Sequence, residues 1–123
     1  MDGQLVHFEL PAADAARATE FWKSLFGWKF REWSGPVEYH MTDGLEPAGA
    51  IYPSPERPGQ GLIVYFLTSD IEVSIARARE LGGSAEDKQP IPTIGWFARC
   101  RDTEGNEFSI FQPDDSVPSS APE

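Results

Sequence analysis

Few residues in this chain are equipped to do chemistry, and two of them stand close together. His7 and Glu9 alternate with apolar residues in Leu5-Val6-His7-Phe8-Glu9-Leu10, a period-two pattern that predicts a strand. Residues two apart on a strand share a face, so an imidazole and a carboxylate should lie side by side. His7 reads as a hydrogen-bonded polar residue in a pocket wall, with a catalytic base as the alternative. Glu9 reads equally as a general base or as a solvated carboxylate near a strand end. The same alternation places Ile63, Tyr65 and Leu67 on one face of a second strand, and Glu107, Ser109 and Phe111 on one face of a third. Tyr65, Trp96, Phe97 and Phe111 suit a core, and they equally suit the wall of a pocket for an aromatic molecule. His40, between Tyr39 and Met41, reads as a surface strand residue.

Other chemistries lack their residues. The single Cys100 has no partner for an internal disulfide and reads as a small strand residue. No Cys/His cluster of zinc-binding spacing and no Gly-x-Ser-x-Gly elbow is present. Gly59 and Gly61 precede a strand rather than a helix, which is the wrong context for a phosphate-cradling loop. Twenty acidic residues against ten basic ones give a formal net charge of −10, which repels phosphate backbones and anionic lipid. The four Trp do not lie among Lys and Arg runs, so no stacking platform for single strands is visible. Neither nucleic acid nor membrane is therefore the expected partner. The N-terminal residues lack a signal-peptide pattern, and the apolar run from Leu62 to Leu67 is too short to span a bilayer. A cytoplasmic location is expected.

The elements that must position these residues are marked by period and punctuation. Ala18, Phe21, Trp22, Leu25 and Phe26 recur as the apolar stripe of a helix, with Asp14 as N-cap and Gly27 as left-handed stop. A second helix runs from about Ile71 through Ile75, Ala78 and Leu81 to Gly82-Gly83; Ser69 with Glu72 fits a capping box, with Asp70 competing for the cap. Strands are expected at 5–10, 28–33, 37–42, 48–52, 62–67, 84–88, 95–101 and 107–112, separated by turn formers. Eleven Gly and eleven Pro agree with a fold of short strands and many turns.

The order is β-α-β-β-β, twice. A shift of 56 lays Asp14 on Asp70, Leu25 on Leu81 and Gly27 on Gly83, and a shift of 60 lays Ile51 on Phe111 and Pro53 on Pro113. The expectation is an α+β fold in which two βαβββ modules form a cupped, eight-stranded mixed sheet with the helices on its outer face. It forms one domain over residues 1–113: module one at 4–53, a linker at 54–60, and module two at 61–113. Residues 114–123, rich in Pro, Ser and acid, should be a mobile tail. Sheet edges and apolar load point to a homodimer, with Trp28, Phe30 and Trp33 as interface candidates.

Three stretches resemble the vicinal oxygen chelate superfamily, which includes glyoxalase I, extradiol dioxygenases and the fosfomycin and bleomycin resistance proteins. His7-Phe8-Glu9-Leu10-Pro11 leading into Ala18–Phe30 (ATEFWKSLFGWKF) is similar to the family's opening strand, helix and "FY…LGW" close. Ser69-Asp70-Ile71 with Arg79-Glu80-Leu81-Gly82-Gly83 resembles "VDD…LGG", and Asp102 to Phe108 resembles the terminal "DPxGNxFE" hairpin. Ile91 to Ala98 is similar to the "IPGVGWFA" segment of a functionally unassigned bacterial subgroup. The resemblance implies a metal held by four side chains, at positions that map here onto His7, Gly49, Ile63 and Ser109. One imidazole and a serine hydroxyl make a poor site for an ion that needs three or four strong donors, so no metal and no other cofactor are expected. Gly49 would let a ligand approach the backbone.

The resemblance thus implies a small-molecule-binding protein of the bleomycin-resistance kind, sequestering an apolar or aromatic metabolite. His7, Glu9, Ile63, Tyr65, Trp96, Ser109 and Phe111 would line its site. The alternatives are a lyase, isomerase or dioxygenase of the superfamily using His7 and Glu9 as acid and base, or with Glu107 in a non-standard metal site. An interaction module whose cup is filled by its own side chains is the third reading.

Overall fold

The computed structural model describes residues 2–35, 37–54 and 61–118. The chain divides into two compact units, His7–Ile63 and a second made of Met1–Val6 with Val64–Glu123. The N-terminal residues therefore go with the second repeat: Gly3 donates to the Leu67 carbonyl (2.8 Å), Leu67 donates to Gln4 (2.8 Å), and Asp2 accepts from Ser69. Most of the expected linker, 55–60, lies outside the described residues.

The first unit carries β1 (Leu5–Ala12, from His7 onward), α1 (Ala15–Phe26), β2 (Lys29–Glu32), β3 (His40–Asp43) and β4 (Ala48–Pro53). Its strands lie in the order β2-β3-β4-β1, with β1 and β4 parallel and the other pairs antiparallel. Asp14 caps α1 by accepting from the Arg17 amide (3.0 Å), and Gly27 ends it at φ 73°, both as the sequence predicts. The buried face of α1 differs from the expected stripe. Ala15 and Thr19 are its buried residues, while Phe21, Leu25 and Phe26 are more than half exposed. Two small side chains let the helix approach its sheet closely. Trp22 is half-buried beside them and stacks on Trp28, with ring centroids 4.7 Å apart and planes 15° from parallel.

The second unit carries β5 (Ile63–Leu67, from Val64 onward), α2 (Ile71–Glu80), β6 (Ser84–Ala85), β7 (Gln89–Ile91), β8 (Gly95–Arg101) and β9 (Glu107–Pro113). Its strand order is β5-β9-β8-β6, with β5 and β9 parallel and β7 pairing β8. Asp70 takes the cap of α2, accepting from Val73 (3.2 Å), and Ser69 binds Asp2 instead. Ile71 and Ile75 bury against Ala98, Cys100 and Ile110. Leu81, past the end of α2, stays 61% exposed.

The expected strand at 84–88 shrinks to two residues; Glu86 still donates to the Arg99 carbonyl (2.8 Å), and beside it the Arg79 guanidinium binds the Ala85 carbonyl (2.7 Å) and Asp87 (3.3 Å). Gln89-Pro90, expected to separate strands, instead opens β7, with Pro90 opposite Trp96. Residues 114–117 are docked rather than mobile. Val117 is 4% exposed, Thr93 donates to its carbonyl (3.0 Å), and Asp114 accepts from the Trp96 indole (3.1 Å). The two βαβββ repeats of an α+β fold are thus both present, with β7 added.

Thr93 has φ 62°, the one non-glycine residue with positive φ among those described. Ile94 donates to the Ile91 carbonyl (2.9 Å), so Pro92 and Thr93 are the central residues of a tight turn. Proline followed by a positive-φ residue is the type II pattern, which favours glycine at the position where this chain has a β-branched side chain. Thr93→Gly is expected to raise the unfolding free energy by about 0.5–1 kcal/mol, the relieved left-handed strain outweighing glycine's larger unfolded-state entropy. Chemical denaturation checks this; a loss of stability would show that the turn holds Thr93 without strain.

Candidate functional site

Within each unit, strand register separates the face that packs on the unit's own helix from the opposite face, which no helix of that unit covers among the described residues. In the first unit His7 pairs with Ala48 and Glu9 with Ala50 across the parallel β1–β4 ladder, so these four side chains share a face. Met41 faces Ala50 across β3–β4, and Tyr39, two residues earlier, joins the same side. The Phe8, Leu10, Ile51 and Thr42 side chains take the other face, toward α1.

The Tyr39 hydroxyl lies 2.6 Å from His7 Nε2 and donates to Glu9 Oε2 at 2.6 Å. The two residues that the sequence places side by side are therefore joined through a third. Around them Trp33 meets the Tyr39 ring edge-on at 5.6 Å, and Tyr52 lies tilted to it at 6.2 Å. Burial pushes the His7 imidazole below its usual value, against opposing pulls from the Glu9 charge and a hydrogen bond to the Ala48 backbone. The arrangement can hold and exchange a proton beside an aromatic wall.

Gly49 does not share this face. It pairs with Phe8, and a side chain at 49 would collide with the Phe8 ring, so the missing Cβ makes room for that ring rather than for a ligand. The residues of β4 beside His7 and Glu9 are Ala48 and Ala50, which offer no donor. His40 is not a surface residue: its side chain is 17% exposed, binds Glu38 (2.7 Å), and lines a cleft of about 350 Å³ against Ala16, Thr19, Glu20 and Lys23 of α1. That cleft is on the helix side.

In the second unit Tyr65 pairs with Ser109 and Leu67 with Phe111, while Phe97 pairs with Phe111 across β8–β9. Tyr65, Ser109, Phe97 and Phe111 thus share the face opposite α2, with the Tyr65 and Phe97 rings 6.4 Å apart. Tyr65 and Ser109 are 8% and 1% exposed, and Ile63 is buried. Trp96 does not belong with them. It pairs with Gln112, packs against the α2 core, carries Lys88 over its ring at 4.1 Å, and donates to Asp114. Phe97 takes the place that the sequence reading gave to Trp96.

Tyr39 is the member of this polar trio that the sequence alone does not point to. Its strand was recognised, but only the register of β3 on β4 brings its hydroxyl between His7 and Glu9. The "DPxGNxFE"-like segment is structural. Asp102 accepts from the Glu104 and Asn106 amides and from the Asn106 side chain, all at 2.9 Å, and these bonds hold its carboxyl below the usual range. Among the described residues, no three His, Cys, Asp or Glu side chains gather as a metal site would require. No helix among them is long and apolar enough to cross a membrane.

Residues 6–111 match the family model described as a glyoxalase-like domain, and the chain belongs to that family, within the vicinal oxygen chelate superfamily. A glyoxylase-like domain-containing protein from Didymella fabae is 29% identical over 120 residues, covering 89% of this chain and 94% of that protein. Methylmalonyl-CoA epimerase from Mycobacterium tuberculosis superposes with a TM-score of 0.67 at 15% identity, over 91% of this chain and 88% of the epimerase. A methylmalonyl-CoA epimerase in complex with methylmalonyl-CoA and NH4+ gives 0.70 at 14% identity, over 98% and 100%. A hypothetical protein from Bacillus halodurans C-125 gives 0.72 at 13% identity, over 98% and 99%. At these identities the solved structures share the fold with this chain.

The lowered imidazole value has a sign. The folded chain binds the His7 proton more weakly than the unfolded chain, so this contribution to stability is complete above the ordinary value of 6.5 and is lost as pH falls through the folded value. His7→Gln should flatten the acid-side decline of unfolding free energy, and Glu9→Gln, by removing a charge that favours the imidazolium, should push His7 lower still. Denaturant melts across pH and imidazole NMR titration check the two. A His7 titration at or above the ordinary value would contradict the burial argument.

Proposed function

We propose that this glyoxalase-like chain binds a small apolar or aromatic molecule at a metal-free site, the polar grip being the His7–Tyr39–Glu9 group. The hydrogen-bonded trio carries the reading, because it sets three polar side chains against an aromatic wall on the face opposite α1. The family's four ligand positions, His7, Gly49, Ile63 and Ser109, supply one imidazole, one hydroxyl, and two side chains with no donor. Such a donor set does not fit a divalent ion, and Gly49 faces away from His7. Tyr65, Ser109 and Phe111 are proposed as ligand-lining residues of the second unit, with Phe97 in place of Trp96.

The second reading is an enzyme of the superfamily in which His7 and Glu9 act as acid and base. The 2.6 Å bonds through Tyr39 favour it, since they couple the two groups. We further propose a homodimer: Phe21, Leu25 and Phe26 leave more than half of their surface exposed along α1, next to the Trp22–Trp28 stack.

Binding of an aromatic probe, followed by calorimetry, should survive exhaustive chelation unchanged and weaken about tenfold in His7→Ala, the loss expected for a charge-assisted hydrogen bond. Affinity that disappears on chelation and returns with a transition metal would overturn the metal-free reading. Incubating a methylmalonyl-CoA-type thioester in D2O separates the two readings, as exchange of its α-proton would favour the enzyme.

A further inference from the structure

We propose that Arg99 and Ser109, opposite one another on β8 and β9, form a carboxylate-binding end of the ligand site, so that the molecule bound is an aromatic monocarboxylate. This rests on the reading that the face of the second unit opposite α2 lines the ligand site.

Register places the two residues. Ala98 and Cys100 bury against α2, so Phe97, Arg99 and Arg101 take the opposite face of β8. Arg99 lies directly opposite Ser109, and Ser109 in turn opposite Tyr65. Glu86 donates to the Arg99 carbonyl (2.8 Å), so the Arg99 backbone bonds on the β6 side and turns away from β9. Arg99 and Ser109 are therefore a non-hydrogen-bonded antiparallel pair, the kind whose side chains approach most closely.

Both side chains carry polar capacity that the fold leaves unused. Ser109 is 1% exposed, and its hydroxyl makes no hydrogen bond among the described residues. A hydroxyl so placed has lost water without gaining a partner, which destabilises the fold unless a ligand supplies the bond. The Arg99 side chain is exposed, and no carboxylate among the described residues forms an ion pair with it. Its guanidinium lies over the Phe97 ring, 6.0 Å from the centroid. The next charges along this face are bound to one another, Arg101 to Glu107 at 3.2 Å. One uncommitted cation thus stands beside one uncommitted hydroxyl.

The ligand's charge and shape follow. A guanidinium offers parallel N–H donors that match a carboxylate, and the Ser109 hydroxyl can donate to the same group. One free cation balances one negative charge. In a chain of net charge −10, a phosphate dianion would keep a charge that nothing here offsets. Two residues further along the strands, about 7 Å away, Phe97 lies opposite Phe111 and Phe111 opposite Leu67. That apolar rank suits a ring, and a carboxylate joined to a ring through two carbons spans the two ranks. Of the two neighbours flanking Ser109, Tyr65 is buried and Arg99 is exposed, so it is Arg99 that moves to admit the ligand oxygen.

Calorimetry on the full chain at neutral pH and low salt tests this, with 3-phenylpropionate and its uncharged amide, 3-phenylpropanamide, as probes. The acid should bind about tenfold tighter than the amide. Arg99→Gln should bring the acid down to the affinity of the amide and leave the amide within about twofold. Arg99→Lys, which keeps the charge without the planar fork, should recover only part of the gap. Ser109→Ala should weaken acid binding several-fold yet raise the melting temperature of the ligand-free chain, because it removes an unpartnered buried hydroxyl. A hydroxyl with a purely structural role would lower that temperature on removal. Equal affinity for acid and amide, an acid preference that Arg99→Gln retains, or a lowered melting temperature in Ser109→Ala would overturn the carboxylate site and leave the apolar binding face standing. Binding of neither probe to the wild type would overturn the ligand reading of this face together with this one.

Discussion

The parallel pairing of β1 with β4 is the constraint on which the site depends. By matching His7 with Ala48 and Glu9 with Ala50, it fixes which residues of the first unit face α1 and which do not. A slip of one residue would exchange every side chain between faces. It would drive the Phe8 ring to the polar side and leave His7 and Glu9 beneath the helix. Gly49 secures the register, because only a residue without a Cβ fits under the Phe8 ring there. The β3–β4 ladder then brings Tyr39 into line, and the trio follows from two registers.

Much of this was written in the sequence. Asp14, Gly27 and Asp70 mark helix ends by chemistry that acts locally, and each does what its type implies. The doubled βαβββ order also followed from local periodicity. What failed was register, which depends on pairing between distant strands. The shift that aligned the repeats was correct for the helices and one residue off in face for Gly49. Trp96 was misplaced for the same reason: whether it or Phe97 shares a face with Phe111 is decided by the β8–β9 ladder alone. The apolar stripe of α1 misled in another way. Its large side chains looked like core, but Ala15 and Thr19 allow closer approach, and that left Phe21 and Phe26 outside. Composition suggested that residues after 113 would be mobile; one apolar residue, Val117, and a few hydrogen bonds keep 114–117 in place.

The same physics explains why the family's most recognisable sequence signals say little about function in this chain. The Asp102–Asn106 segment is a turn built on carboxylate hydrogen bonds, and Ile91–Ile94 is a turn around Pro92. Both specify fold. The proposed function rests on residues whose types are unremarkable one at a time, a histidine and a glutamate of β1 and a tyrosine just before β3. Their value lies in hydrogen bonds short enough to make three groups behave as one.

The central claim is that the Tyr39 hydroxyl bridges His7 and Glu9, and proton NMR of the ligand-free chain tests it directly. The Tyr39 hydroxyl proton, donated to Glu9 at 2.6 Å while its oxygen lies 2.6 Å from His7 Nε2, should exchange slowly with water, resonate well downfield, and show cross-relaxation to both the His7 ring and the Tyr39 ring. That resonance should vanish in Tyr39→Phe with the remaining spectrum preserved. A Tyr39 hydroxyl in fast exchange with solvent, on a ring that shows no proximity to His7, would contradict the account.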